Sequence, residues 1–336
     1  MNTLVLGGSV FVGRRLVAAL VDAGDDVTVL NRGRTPAALP AGVGQLIADR
    51  TDIESMRSAL ADTHWDAVFD VSGFVMAAGG SDIDHLVDLF KDRAGAYVYV
   101  SSIMAYDQSL GGIFPWTEDM PSNDDGPTSY GGFKALSERA MLQRHADAGF
   151  PVIIVRPAAI YGPENNIYDM ETPMFLRLLQ RRPILLPHGG LVVASYGHVD
   201  DLVAFMMTAA STPSAQGEIF NVTTSAISTR RYVTTLAEIA GVEPNIVDLP
   251  DDVLKSLTMS VFGHLFGVRH HAELSTVKAD AVMRPRHDFR SGHTSTFDWF
   301  LSQGWADRTD PLVDPVWRAT WDFDAEARIA AQLGHA

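Results

Sequence analysis

Short, unbroken apolar runs alternate with amphipathic stretches through the first 160 residues. TLVLG (3–7), DVTVLN (26–31), GQLIAD (44–49), DAVFDVS (66–72) and AYVYVSS (96–102) set apolar side chains on neighbouring positions. Continuous rather than alternating runs predict strands covered on both faces, the condition of a parallel sheet. Between them, VGRRLVAALVDAG (12–24), IESMRSALAD (53–62) and IDHLVDLFKD (83–92) read as helices. Strand–helix alternation of this kind predicts an α/β fold built on a doubly wound parallel sheet.

The second half is less regular. SYGGFKALSERAMLQRHADAG (129–149) predicts a long helix and PVIIVRP (151–157) a strand after it. TPMFLRLLQRR (172–182), DDLVAFMMTAA (200–210) and RRYVTTLAEIAG (230–241) predict helices, and EIFNVTT (218–224) a strand. Residues 244–295 mix prolines, histidines and short apolar pieces, which suggests a small irregular lobe. We expect a dinucleotide-binding domain over 1–163, with segments near 194–224 returning to it. A smaller, mostly helical C-terminal lobe over 164–305 would hold substrate. A tail helix over 306–336 would pack on the body or on another subunit.

Composition narrows the function more than the fold. The chain has 336 residues, 46% of them hydrophobic, so a substantial core can form. A net charge of −15 argues against nucleic acid, because phosphate neutralisation needs clustered Lys and Arg. With no cysteine there is no disulfide, thiolate catalysis or Cys-ligated metal. That fits a reducing compartment, and a cytoplasmic protein without signal peptide or membrane span is the expectation.

The candidate chemistry begins at LVLGGSVFVGRR (4–15). A glycine turn between a first strand and a helix lets backbone N–H groups and the helix N-terminus approach a pyrophosphate. Gly7, Gly8 and Gly13 suit that purpose, but Val10 stands where a middle glycine is expected. Its Cβ should restrict the backbone and narrow the approach. At the end of the second strand, Asn31, Arg32, Gly33 and Arg34 replace the acid that usually meets an NAD ribose. Two guanidiniums suit a 2′-phosphate, so the expected cofactor is NADP(H) rather than NAD(H). A solvated basic loop is the plain alternative.

Tyr130 and Lys134 are four apart at a predicted helix start, hence on one face. A neighbouring ammonium lowers a phenol from its ordinary pKa near 10 and makes it a usable acid/base. Ser101 and Ser102 end the fifth predicted strand, at the carboxyl edge where open α/β sheets bind ligands. One serine hydroxyl there can bond the substrate oxygen.

Taken in order, the glycine loop, VSSIMAY, YGGFK, RPAAIYGP and HVDDL resemble the extended short-chain dehydrogenase/reductase family, the NAD(P)-dependent epimerase/dehydratase group. The resemblance spans about residues 1–305 and implies a Rossmann-like fold. It implies a catalytic triad of Ser102, Tyr130 and Lys134, with Lys134 binding the nicotinamide ribose and lowering the Tyr130 pKa. It also implies cofactor contacts at Gly7, Gly8, Ser9, Val10, Phe11, Val12, Gly13, Asn31, Arg32, Arg34, Asp49, Arg50, Ser72, Gly73, Ser101 and Pro157, besides Tyr130 and Lys134. Asp49 would lie near the adenine, and a homodimer through helices flanking the catalytic segment is expected.

Departures from the family pattern matter. Ser102, Ile103 and Met104 replace the Thr-Asp-Glu of 4,6-dehydratases, which disfavours dehydration. Ala159 replaces an asparagine of nucleotide-sugar enzymes, and LVVASYGHVDD lacks their pyrophosphate arginine; Arg269, Arg284 and Arg286 are possible substitutes. The expected activity is reduction of a ketone, or epimerisation of a carbinol carbon, in a sugar-like substrate. Tyr161, Tyr168, Asp169 and Glu171 are weaker candidates for substrate contact. GGSVFVG with NRGRT also resembles an atypical branch that includes chloroplast stem-loop-binding proteins, so a catalytically silent, RNA-associated or regulatory cofactor-binding protein is the alternative. HVDD is expected to start a helix rather than bind a metal, His270 and His271 to lie at the surface, and Trp299, Trp305, Trp317 and Trp321 to be packing residues.

Overall fold

A computed structural model describes residues 1–34, 39–60, 63–72, 81–110, 113–166, 170–256, 271–310 and 321–334. The first half alternates β1 (Asn2–Leu6), α1 (Phe11–Asp22), β2 (Asp26–Asn31), β3 (Gly44–Ile47), α2 (Ile53–Leu60), β4 (Ala67–Asp70), α3 (Ser81–Phe90), β5 (Tyr97–Val100), α4 (Tyr130–Ala148) and β6 (Val152–Pro157). Then come β7 (Ala159–Tyr161), α5 (Glu171–Leu179), β8 (Pro183–Pro187), β9 (Val193–His198), α6 (Val199–Ala210), β10 (Ile219–Val222) and β11 (Ser225–Ser228). The chain continues through α7 (Thr229–Ala240), β12 (Asn245–Leu249), α8 (Asp251–Ser256), α9 (Val277–Asp280), α10 (Phe289–Ser302) and α11 (Phe323–Gln332).

Seven parallel strands form the main sheet in the order β10-β6-β5-β4-β1-β2-β3. The order reverses between β1 and β4, which opens the crevice where such sheets bind ligands. Apolar clusters cover both faces. Leu4, Leu6, Val68, Tyr97 and Tyr99 point to one and Val5, Val29, Phe69, Val98 and Val155 to the other. The unbroken apolar runs are the sequence record of this double burial.

Beyond β6 the chain leaves and re-enters the sheet. β10 returns as its edge strand beside β6, and α6 lies against α1. The remaining elements build a second cluster around Met174, Phe175, Tyr232, Phe297 and Phe300. This part holds more strand than its sequence pattern predicts: β11-β9-β7 form one small sheet and β12-β8 another. These strands are short, and β8 opens and closes on proline, so their apolar runs carry little periodicity.

The tail does not hang free. Arg177 on α5 gives two hydrogen bonds to Glu326 on α11, at 2.8 and 2.6 Å, with both side chains buried. Trp321 and Phe323 join the same core. Among the described residues, no helix is long and apolar enough to cross a membrane. Removing one partner of a buried ion pair strands the other charge. Glu326→Ala is therefore expected to lower unfolding stability by about 3 kcal/mol, read by chemical denaturation, with the seven-stranded sheet otherwise preserved.

Candidate active site

The glycine turn after β1 is shaped by contacts that exclude side chains. Gly7 and Gly8 have φ of +119° and +83°. A Cβ on Gly8 would meet Val29 at 2.9 Å, and one on Gly13 would meet the Gly8 nitrogen at 2.6 Å. The Gly7 amide donates to the Leu30 carbonyl at 3.0 Å, fixing the turn against β2. Val10 departs from expectation. It has extended backbone, φ −140° and ψ 154°, which any residue adopts, and its side chain is 45% exposed. The unusual angle falls on Phe11, with φ +36° and a buried ring. Val10 therefore does not distort the turn.

Val10 offers α1 no side-chain cap, and the first turn of this helix carries no acid. The N-terminal amides of Phe11, Val12 and Gly13 and the positive end of the helix dipole thus lie uncompensated beside the crevice. This is the arrangement a pyrophosphate requires, so the cradle fits a dinucleotide. Asn31 ties the turn to the end of β2: its Nδ2 donates to Ser9 Oγ at 3.2 Å, and its Oδ1 accepts from the Gly33 amide at 2.8 Å. Arg32 and Arg34 are exposed just beyond. The Asp49 carboxyl is held below the usual carboxylate range, first by the Thr51 amide and hydroxyl and then by the charges of Arg32 and Arg34. These residues meet at one end of the crevice.

At the other end, Ser102 follows β5 and Tyr130 opens α4. Ser102 Oγ accepts from the Met104 amide at 3.1 Å and caps a short 3-10 turn. The Ser102 hydroxyl acts on the Tyr130 phenol, pulling its pKa down. YGGFK makes this approach possible. A Cβ on Gly131 would collide with the Met104 carbonyl oxygen, and one on Gly132 with that of Gly126. Ser129 caps α4 by accepting from the Gly132 amide at 2.9 Å.

Lys134 lies one turn on, only 2% exposed. Its Nζ donates to the Val100 carbonyl at 2.6 Å and sits 4.8 Å over the Tyr99 ring and 5.7 Å from the Tyr130 ring. Burial lowers its pKa to about 7, against the counter-pull of Asp70. Tyr130 differs from expectation: burial raises its pKa, and the Ser102 hydroxyl offsets that only in part. Burial and Ser102, not the Lys134 ammonium, are what act on this phenol.

The model of the NAD-dependent epimerase/dehydratase family matches residues 3–223. The chain belongs to this family. It is 30% identical over 244 residues to the chloroplast stem-loop binding protein of 41 kDa b of Arabidopsis thaliana, covering 69% of this chain and 59% of the plant protein. It is 26% identical over 331 residues to dTDP-glucose 4,6-dehydratase of Streptomyces antibioticus, covering 89% and 92%. Among solved structures, dTDP-glucose 4,6-dehydratase of Bacillus anthracis in complex with NAD superposes with a TM-score of 0.72 at 20% identity, over 91% of this chain and 98% of that one. Dehydratases thus stand among the family relatives, which lend no support to setting dehydration aside.

Within the family frame, several expected contacts are committed elsewhere. Ser101 is 2% exposed and donates its hydroxyl to Glu138, which also holds Arg156 at 2.6 Å. The Arg50 guanidinium, expected to meet the cofactor, is spent on Asp70 at 2.7 and 3.0 Å and on Ser72 Oγ at 2.8 Å. Pro157 is buried at the end of β6, opposite Val222. Glu171, expected at the cleft mouth, is 1% exposed and accepts from the Gly162 amide and Asn165 Nδ2 at 3.3 and 2.9 Å. Tyr161 is fully buried and stacks on His293 at 3.8 Å. Both belong to the interior of the second lobe because α5 packs inward. Gly73, Tyr168, Asp169, Arg269, His270 and Trp317 lie outside the described residues.

HVDD does begin α6. His198 caps it, Nδ1 accepting from the Asp200 amide at 3.3 Å. Asp200 takes a bidentate contact from Arg15, and Asp201 accepts from the backbone of Arg286 and His287. His271 Nδ1 accepts from the Val193 amide and its ring lies 4.9 Å from Phe114. Asp70 and the Glu138–Arg156 pair escaped the sequence reading. A charge closing an otherwise apolar strand, as in AVFD, was the available signal. Gly13→Ala must displace the Gly8 backbone and is expected to cost about 1–3 kcal/mol and to weaken cofactor binding, whereas Val10→Gly should leave affinity unchanged. Thermal melts and NADPH titrations of both variants test this.

Proposed function

We propose that this protein is an NADP(H)-dependent oxidoreductase acting at a ketone or carbinol carbon, by reduction or by epimerisation through a keto intermediate. The observation that carries it is the meeting of Tyr130, Ser102 and Lys134 at the carboxyl edge of the sheet, beside a glycine cradle that fits a dinucleotide. Bound there, the cofactor would supply or take hydride. Ser102 would hold the substrate oxygen by hydrogen bonding, and Tyr130, at the start of α4, would give or take the proton at that oxygen. A phenol raised by burial is protonated at neutral pH, the form a reduction needs in its acid. Lys134, fixed on the Val100 carbonyl, would position the ribose. Ile103 and Met104 bring no acid or base next to Ser102, which favours redox chemistry over elimination of water. A sugar-like substrate is the first class to assay, and small ketones the second.

The preference for NADP(H) rests on Arg32 and Arg34, both exposed beside Asn31, with no acid at the strand end. The 30% identity to a stem-loop binding protein favours one rival, an RNA-associated protein without catalysis. The net charge of −15 and the intact Tyr130–Lys134 pair speak against it.

Tyr130→Phe should abolish turnover of an accepted substrate while cofactor binding stays nearly intact; full activity in this variant would overturn the mechanism. Titration of the wild type with NADPH and NADH should show tighter NADPH binding. Arg32→Ala with Arg34→Ala should remove that difference, at a loss of about 1–3 kcal/mol. Equal affinities in the wild type would refute the preference.

A further inference from the structure

Asp70 closes β4 at zero exposure, a position where an isolated carboxylate is costly. Its surroundings answer that cost. Arg50 Nη1 and Nη2 reach its two oxygens at 2.7 and 3.0 Å, Tyr97 Oη donates at 3.0 Å, and the Ser72 amide and hydroxyl approach at 3.3 Å. Replacing such a pair by apolar residues is often neutral or stabilising. Its presence at the rim of the ligand crevice therefore calls for a local reason.

The sheet supplies one. Asp70 pairs directly with Tyr99 in the β4–β5 register, and Tyr99 is the ring beneath Lys134 Nζ. The next residue, Val100, provides the one carbonyl that accepts from this ammonium among the described residues. Tyr97, two residues earlier and so on the same face of β5, is the hydroxyl that bonds Asp70. Asp70 and Lys134 thus share one face of the sheet, one strand apart. The charged groups that act on Lys134 are Asp70, Arg50 and Glu138, in that order. Glu138 is occupied by Arg156 and Ser101. The Tyr99 and Tyr130 rings complete the surroundings.

We propose that the buried Arg50–Asp70 pair is a positioning device for Lys134: Asp70 supplies the counter-charge that holds the lysine as an ammonium inside the protein, and Arg50 makes that carboxylate tolerable there. The device rests on the proposed role of Lys134 at the cofactor ribose.

Protonation of Lys134 can be read directly. The chain has four lysines, Lys91, Lys134, Lys255 and Lys278, so selective labelling of lysine Cε gives four resonances, assigned by Lys134→Arg. In the wild type the Lys134 resonance should titrate near neutrality. Asp70→Asn leaves the Arg50 charge uncompensated and should lower the midpoint by about one pH unit. The double variant Arg50→Gln with Asp70→Asn removes both charges, spares the interior a stranded guanidinium, and should fall between the two. The pH dependence of NADPH affinity should move in the same order. A midpoint that stays put in either folded variant would overturn the proposal. None of these readouts needs turnover. An active Tyr130→Phe enzyme with the midpoints ordered as stated would defeat the proposed chemistry and leave this inference standing.

Discussion

Lys134 places an ammonium on a backbone carbonyl inside the protein, and the crevice is organised around that buried charge. Its position follows from the topology. α4 crosses from β5 to β6, so the face of its first turn lies over the carboxyl ends of both strands. The two glycines between Tyr130 and Lys134 let the helix start press against the segment after Ser102. Without that contact the phenol, the serine and the lysine would not converge.

A buried charge imposes conditions on its neighbours. Two ion pairs flank it, Arg50–Asp70 on one side and Arg156–Glu138 on the other, each closed by further hydrogen bonds. Both pairs are internal, so under the proposed function the chemistry falls to a few groups: the Tyr130 phenol, the Ser102 hydroxyl and the cradle around α1. Ile103 and Met104, which follow Ser102, and Ala159 on β7 do not ionise.

The sheet was legible because strands buried on both faces leave continuous apolar runs. TLVLG, DAVFDVS and AYVYVSS each became a strand. That Tyr130 and Lys134 share the start of one helix was legible from spacing, and that Ser102 ends at the sheet's carboxyl edge from the apolar run before it. The small strands of the second lobe were not, being three to six residues long with no shared period. The destinations of Arg50, Ser101 and Glu171 were hidden for another reason. A polar residue near a motif reads as a ligand contact until its internal partner is known. Asp70, Glu138 and Gly162 are separated from them by 9 to 37 residues. The local backbone at Val10 was likewise invisible, because the strained angle passes to Phe11.

The most direct measurement follows hydride from cofactor to carbon. NADPH deuterated at the nicotinamide C4 would be incubated with the protein and a panel of sugar-like and small ketones, and the products analysed by mass spectrometry. The account predicts deuterium on the carbinol carbon of the product, one atom for each NADPH consumed. A ketone reduced to its carbinol with no deuterium at that carbon would contradict it.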